Sequence, residues 1–291
     1  MRHGLELVLD AGLELGEGPI WDDERQQLLF VDIMQGDVHA FDPATGAHRL
    51  VNIGRPVGAV ALTTRGHWVL AAGRGFYRAD PATGRAELIV EVEPEEAGTR
   101  MNDGFVDPSG RFWAGTSSLV RQRERGALYR LDPGGGAERV LSPVTTSNGI
   151  DWSPDGRLMY YVDTGTKRVD VFDFDAATGL PRGRRPCVVF AGGAGRPDGL
   201  IVDAEGALWV ALWEGGAIHR YTPAGRLDRV VDVPAALTTK CAFGGPSLTD
   251  LYITTASRGL DAAARRAQPH AGGLFRLRGA GRGQTPRRFA G

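Results

Sequence analysis

The feature that most constrains this chain is one phrase written six times, in which a short apolar strand opening near Gly or Asn-Gly runs into a turn and then a second β-rich strand. GPIWDDERQQLLFVDI, GAVALTTRGHWVLAAG, NDGFVDPSGRFWAGT, NGIDWSPDGRLMYYVDT, DGLIVDAEGALWVALW and CAFGGPSLTDLYITTA begin near Gly18, Gly58, Asn102, Asn148, Asp198 and Cys241. Aligned on Gly18, Gly58, Gly104, Gly149 and Gly199, with Ala242 in the sixth place, the copies step by 40, 46, 45, 50 and 43 residues. That period is the length of one four-stranded blade.

A second turn recurs inside the repeats, as DPATG at 42–46 and 80–84, DPGGG at 132–136, DAATG at 175–179 and TPAG at 222–225. Asp or Pro entering and Gly leaving are what tight antiparallel connections require. Between turns, LLFVDI, DVHAFD, GALYRLD, RVDVFDFD, AIHRYTP and GGLFRL alternate apolar with polar residues. Period two predicts strands, and no segment sustains a 3.6-residue apolar period. Almost no helix is expected, with a turn near Asp261–Arg266 as the exception.

A lone blade cannot bury both faces, whereas six arranged radially pack sheet on sheet and leave only short edges. The expected fold is all-β: a six-bladed β-propeller of four-stranded antiparallel blades around a central channel. It is read as one domain over residues 1–291, with blades starting near 17, 57, 102, 148, 198 and 241. Residues 5–9 form a spare strand that pairs with the last blade to close the ring, and the Gly/Arg-rich GAGRGQTPRR is either a last hairpin or a loose end.

A net charge of −1 gives no electrostatic reason to expect nucleic acid or an anionic membrane as a partner. No apolar run approaches the roughly 20 residues of a spanning helix, and MRHGLELVLDAG lacks the long apolar core of a signal peptide. The expected location is cytoplasmic, where Cys187 and Cys241, placed in different blades, stay free thiols. Nothing in the sequence speaks to oligomeric state.

In a propeller the innermost strands all begin at one end of the channel, so equivalent positions at their starts converge on the axis. Just before the shared glycine stand Glu17, Val57, Asp103, Asn148, Asp198 and Cys241, with Asn102 and Lys240 adjacent. Three acids at one mouth repel each other, and a cation is expected to neutralise them. Oxygen ligands of this kind suit a hard or borderline divalent ion, and no His or Cys spacing favours a closed zinc site. The competing reading is that Asn and Asp before Gly are ordinary turn residues.

These residues carry a resemblance over nearly the whole chain. LGEGPIWD (15–22), RMNDG (100–104), SNGIDWSPDG (147–156), RPDGLIVDAEGALWVA (196–211), CAFGG (241–245) and AGGLFRL (271–277) resemble the senescence-marker-protein, gluconolactonase and luciferin-regenerating family. The resemblance implies a six-bladed propeller holding one divalent cation (calcium, zinc, manganese or iron) through Glu17, Asn148 and Asp198, three positions the repeat alignment also marks. It implies hydrolysis of a small lactone, sugar-derived or related, to the hydroxy acid. The cation would polarise the carbonyl and Asp198 would activate water. Arg100 and Asn102 match substrate-contacting positions; an exposed loop cation is the alternative for Arg100.

The chain departs from that pattern after AGT, where Ser117-Ser118-Leu119-Val120 replaces the usual Met and, in the animal sugar lactonases, a nearby Glu. Arg121, Arg123 and Arg125 follow, either as a lid over an anionic substrate or as a solvated loop. Lys240 is the second departure: it binds a substrate carboxylate or oxyanion, or it forms a salt bridge to Asp103 or Asp198. Trp213 is placed to wall a ring-shaped substrate, whereas Trp21, Trp113, Trp152 and Trp209 read as blade packing. His3, His39, His48, His67, His219 and His270 are scattered without a nucleophile motif, and no G-x-S-x-G elbow or phosphate loop is present. Three function classes follow: a metal-dependent lactonase, a related metal-binding propeller enzyme acting on another ester or in biosynthesis, and a noncatalytic binding propeller.

Overall fold

The computed structural model describes residues 4–94 and 98–291; His3 lies outside them. After β1 (Leu5–Leu9), strands follow one another around the ring. Blade 1 holds β2–β5 (Gly16–Asp22, Gln27–Asp32, Asp37–Phe41, His48–Asn52), and blade 2 holds β6–β9 (Val57–Leu62, Trp68–Ala72, Gly75–Ala79, Ala86–Glu91). Blade 3 holds β10–β13 (Thr99–Val106, Phe112–Ser118, Gly126–Leu131, Ala137–Val144), and blade 4 holds β14–β17 (Ser147–Trp152, Leu158–Asp163, Arg168–Asp175, Leu180–Val189). Blade 5 holds β18–β21 (Arg196–Val202, Leu208–Trp213, Ala217–Tyr221, Leu227–Asp232). Blade 6 takes β22–β24 (Thr238–Gly244, Asp250–Thr255, Leu274–Leu277) from the C-terminal end and β1 from the N-terminal end. The architecture is a six-bladed β-propeller with four-stranded antiparallel blades. Its short helix α1 (Ala262–Ala267) is capped by Asp261, whose carboxylate accepts from Ala264 N at 2.8 Å.

The turns form where the sequence places Asp ahead of Gly. Asp42 accepts from Ala44 N at 2.8 Å and from Thr45 Oγ1 at 2.7 Å, and Gly46 closes the turn at φ 76°, a conformation costly for any residue with a Cβ. At the inner hairpins of blades 3 and 5 the turn acid also reaches the core: Trp113 Nε1 donates to Asp107 at 3.0 Å, and Trp209 Nε1 to Asp203 at 2.9 Å. Each tryptophan thus buries its ring and satisfies its one polar atom.

Apolar side chains collect between neighbouring sheets. Leu29, Val31, Val60 and Leu70 join blades 1 and 2; Leu200, Val210, Val162 and Val171 join blades 4 and 5. The last wedge is filled by Trp21 and Phe30 from blade 1 against Tyr252 and Leu274 from blade 6. Burial therefore ties each sheet to two others, and the ring is closed by β1 pairing with β24, Leu5 opposite Leu277 and Leu7 opposite Phe275.

In every blade the innermost strand slips register against the second. These bulges take residues out of the ladder and turn their side chains toward the channel. Met101, Ser147 and Pro197 pair before the bulge, and Gly104, Ile150 and Leu200 pair after it. Asn102, Asn148 and Asp198 are consequently equivalent. Asp103, which counting back from glycine had aligned with them, occupies the place of Gly149 and Gly199. Cys241 also leaves the channel series: it pairs with Ile253 and packs in the apolar wedge between blades 5 and 6.

The C-terminal segment is neither a hairpin nor loose. It crosses the end of the channel opposite the inner-strand starts. Gln284 Nε2 donates to Trp152 O at 3.0 Å and Val202 O at 2.9 Å, Arg287 pairs with Asp151 at 2.9 Å, and Phe289 N donates to Leu62 O at 2.8 Å. A small apolar hollow of about 60 Å³ remains beneath it. Among the described residues no helix is long and apolar enough to cross a membrane.

Candidate metal and active site

At the other end, where the inner strands begin, the channel opens into a cavity of about 370 Å³. Glu17, Arg100, Asn102, Asn148, Asp198 and Trp213 line it, contributed by blades 1, 3, 4 and 5. The bulges of β10, β14 and β18 bring Asn102, Asn148 and Asp198 side by side. Glycine permits the approach: a Cβ on Gly149 would lie 2.4 Å from Leu200 N, and one on Gly58 would lie 2.2 Å from Asn102 O.

A hydrogen-bonded row sets the orientation of these groups. Arg100 Nη1 donates to Met101 O at 2.9 Å and to Asn102 Oδ1 at 2.7 Å. Asn102 Nδ2 in turn donates to Ser147 O at 2.7 Å and Asn148 Oδ1 at 2.9 Å. Asn148 Nδ2 donates to Thr164 Oγ1 at 2.8 Å, and that hydroxyl donates to Pro197 O at 2.8 Å, beside Asp198. The carboxamide of Asn148 is thereby held with its oxygen turned from Thr164 toward Asn102. Thr164 had not stood out in the sequence; it sits in a single 3-10 turn (Thr164–Thr166) capped by Asp163, with no repeat counterpart to mark it.

The two carboxylates are poorly served by the protein. Glu17 is 3% exposed and accepts only from the adjacent Gly18 N at 2.9 Å; Asp198 is 5% exposed and its carboxylate accepts no hydrogen bond from any described residue. Burial pushes Glu17 up to about 8, with the charge of Asp103 adding to it. Burial and then the charges of Glu17 and Asp103 likewise hold Asp198 well above the usual carboxylate range. Two buried, mutually repelling acids with spare lone pairs and an oriented carboxamide oxygen fit a hard divalent cation. Among the described residues no three His, Cys, Asp or Glu side chains gather into a metal-binding group, so any such centre here is built of two carboxylates and one carboxamide.

Lys240 is not at the cavity. It is wholly buried, its ammonium paired with Asp103 and 5.7 Å from the Phe105 ring, so of its two expected roles the structure shows the salt bridge to Asp103. Blades 3 and 6 face each other across the ring, and this ion pair lies between the cavity and the hollow under the C-terminal segment. It supplies the cation that Asp103 needs once Asp103 replaces glycine in the bulge.

A family model for the SMP-30/gluconolactonase/LRE-like region matches residues 15–257. The chain belongs to this family. It is 37% identical over 294 aligned residues to regucalcin of Xenopus laevis, covering 99% of this chain and 98% of that one, and 37% identical with the same coverage to regucalcin of Homo sapiens. A Bacillus subtilis (strain 168) protein provisionally named sugar lactone lactonase YvrE is 36% identical over 99% of both chains. Among solved structures, a calcium-binding protein, regucalcin, from Agrobacterium tumefaciens str. C58 superposes with TM-score 0.94 at 31% identity over 99% of this chain and 97% of that one. A luciferin-regenerating enzyme superposes with TM-score 0.92 at 31% identity over 98% of this chain and 99% of that one.

Within this family member, the stretch that departs from the family pattern forms part of the cavity wall: Ser117, Ser118 and Leu119 line it, while Val120 is 79% exposed. Arg121 and Arg123 also line it, whereas Arg125 does not. Sequence reading missed Lys167, Arg196 and Arg258, which complete the rim. Arg196 stands one residue before the PDG motif and was findable there. Lys167 and Arg258 come from loops unlike those of other blades. None of the described histidines lines the cavity; His39 and His48 instead stack on Phe30 at the outer side of blade 1.

Proposed function

We propose that the chain is a divalent-cation-dependent lactonase, opening a small sugar-derived or related lactone to its hydroxy acid. The observation that carries the reading is the convergence of Glu17, Asp198 and the oriented oxygen of Asn148 on one cavity in a member of this family. These three residues would hold the cation, which when bound supplies Lewis-acid polarisation of an ester carbonyl. The reading takes residues 1–291 as one propeller domain, acting on a small molecule in the cytoplasm without nucleic acid or membrane.

The remaining chemistry belongs to the chain. Asp198, whose carboxylate has no protein donor competing for it, takes a proton from the water that adds to the carbonyl carbon. It returns that proton to the ring oxygen as the C–O bond breaks, leaving a hydroxy acid. Arg100 keeps one guanidinium nitrogen on Asn102 and Met101 O and presents the rest of its fork toward the cavity. Burial, and next the charge of Arg258, pull it down only to about 10, so it stays cationic at neutral pH. Asn102 has its amide nitrogen fully engaged and offers a substrate hydroxyl only its oxygen. Trp213, Leu15, Ile33 and Leu119 form apolar wall against which a ring can lie.

Asp198→Asn keeps an oxygen donor while removing the base, and turnover should fall by at least about a hundredfold. Titration of released acid across a panel of lactones, with and without excess chelator, reads both parts. Wild-type rate in Asp198→Asn would remove the assigned base, and full activity in chelator would remove the cation.

A further inference from the structure

The cavity is far more basic than its chemistry requires. Arg100, Arg121, Arg123, Lys167, Arg196 and Arg258 line it against only Glu17 and Asp198, in a chain whose net charge is −1. Arg196 is answered by Glu214 at 2.8 Å, outside the cavity. Arg121, Arg123, Lys167 and Arg258 have no carboxylate partner among the described residues, and Arg258 stands close enough to disfavour the charge on Arg100. Folded chains place like charges together at a concave mouth at a cost, because walls of low dielectric focus their field. The four arise from three separate segments, Arg121 and Arg123 after β11, Lys167 after β15 and Arg258 after β23, so no single solvated run accounts for them.

We infer that the substrate of this site is an anionic lactone, carrying a carboxylate or a phosphate ester away from the ring carbonyl. The reaction rests on the lactonase reading; the charge preference rests on the rim. The reacting end faces Glu17, Asn148 and Asp198 at the channel, while the anion is held at the mouth by Arg121 and Arg123 of blade 3, with Lys167 on the neighbouring blade 4 and Arg258 across the ring on blade 6. Guanidinium forks suit both anions, since each offers two oxygens in one plane to two parallel N–H donors. The Ser117–Leu119 wall leads directly into the arginine loop, so one stretch of chain supplies both cavity wall and two of the cations that would read the anion.

The test compares three lactones of one ring size: a neutral aldonolactone, its analogue with a terminal carboxylate, and its analogue with a terminal phosphate ester. Wild-type kcat/KM should be roughly tenfold or more higher for one or both anions, and that advantage should shrink as potassium chloride is raised from low to about 0.5 M, while the neutral lactone is unaffected by salt. Arg121→Gln/Arg123→Gln should collapse the anionic-to-neutral ratio through KM, and Arg121→Lys/Arg123→Lys should restore part of it. Whichever anion responds identifies the group. Equal kcat/KM for all three with no salt dependence overturns the inference and leaves the lactonase reading standing. Calorimetry with a uronate and a sugar phosphate provides the converse: salt-sensitive binding lost in the Gln pair, without opening of any lactone, sinks the hydrolytic reading and keeps the anion preference. Absence of binding and of preference together overturns the inference.

Discussion

Lys240 places an ammonium at 0% exposure, a position that folded chains tolerate only when the charge is answered. Asp103 answers it, and that carboxylate also accepts from Gly104 N at 2.7 Å, while its second oxygen is buried without a partner. The pair is set 137 positions apart in the chain, which is why the sequence could narrow the partner of Lys240 only to Asp103 or Asp198. Removing the lysine alone strands a buried carboxylate. Lys240→Met should therefore cost about 3–5 kcal/mol of unfolding free energy, whereas Lys240→Met/Asp103→Asn should recover most of that loss. Urea denaturation of both variants checks it; equal losses would mean that the lysine's packing, and not its charge, is what the ring needs. Its charge also counters the burial and mutual repulsion that raise Glu17 and Asp198, so the same cycle links channel packing to the site.

At the scale of the strand, the inner bulge does two jobs. It takes Asn102, Asn148 and Asp198 out of the ladder, and it lets neighbouring inner strands touch. Blade 2 contributes none of the three residues proposed to hold the cation, yet its Gly58 abuts the backbone of Asn102, the residue that orients Asn148. Gly58→Ala should thus destabilise by about 1–3 kcal/mol through overpacking and weaken cation binding as well, although position 58 touches no cation. Thermal denaturation and calorimetric titration with a divalent ion measure the two effects, with Gly134→Ala, where an added Cβ meets nothing within 4 Å, as the control. The glycine echo was legible because close strand contact demands it in blade after blade, and with it came blade number and Glu17, Asn148 and Asp198. The exchange of Asn102 for Asp103 was not, since counting residues from a glycine cannot see how a bulge distributes them. Lys167 and Arg258 were hidden for a different reason: rim loops are free to differ once the sheets are built, so no repeat exposes them.

Across the whole molecule, stability depends on a ring whose two ends are held by different devices. The C-terminal segment straps the far mouth of the channel, joining blades 1 to 5 through Arg288, Phe289, Ala290, Arg287 and Gln284. β1 completes blade 6, where Glu6 receives Arg276 Nε at 2.6 Å and Leu5 and Leu7 pack on the wedge that blades 5 and 6 share. Without β1, the four-residue β24 becomes a bare edge, and the wedge beneath it opens on one side. Deletion through Leu9 removes four half-buried apolar side chains at about 1 kcal/mol each, enough to lower Tm by about 10 °C in a chain of this size. Because every sheet is packed on two others, the loss should appear as one transition shifted as a whole, read by calorimetric scanning. A second, early transition confined to blade 6 would show instead that the sheets melt separately and that closure by β1 stabilises only its own blade. A unitary shift has a consequence for the cavity. Glu17 follows β1 and the first loop directly, so a ring that loosens at its seam displaces one carboxylate relative to Asn148 and Asp198. The truncated chain should then bind a divalent cation more weakly even at temperatures where it remains folded.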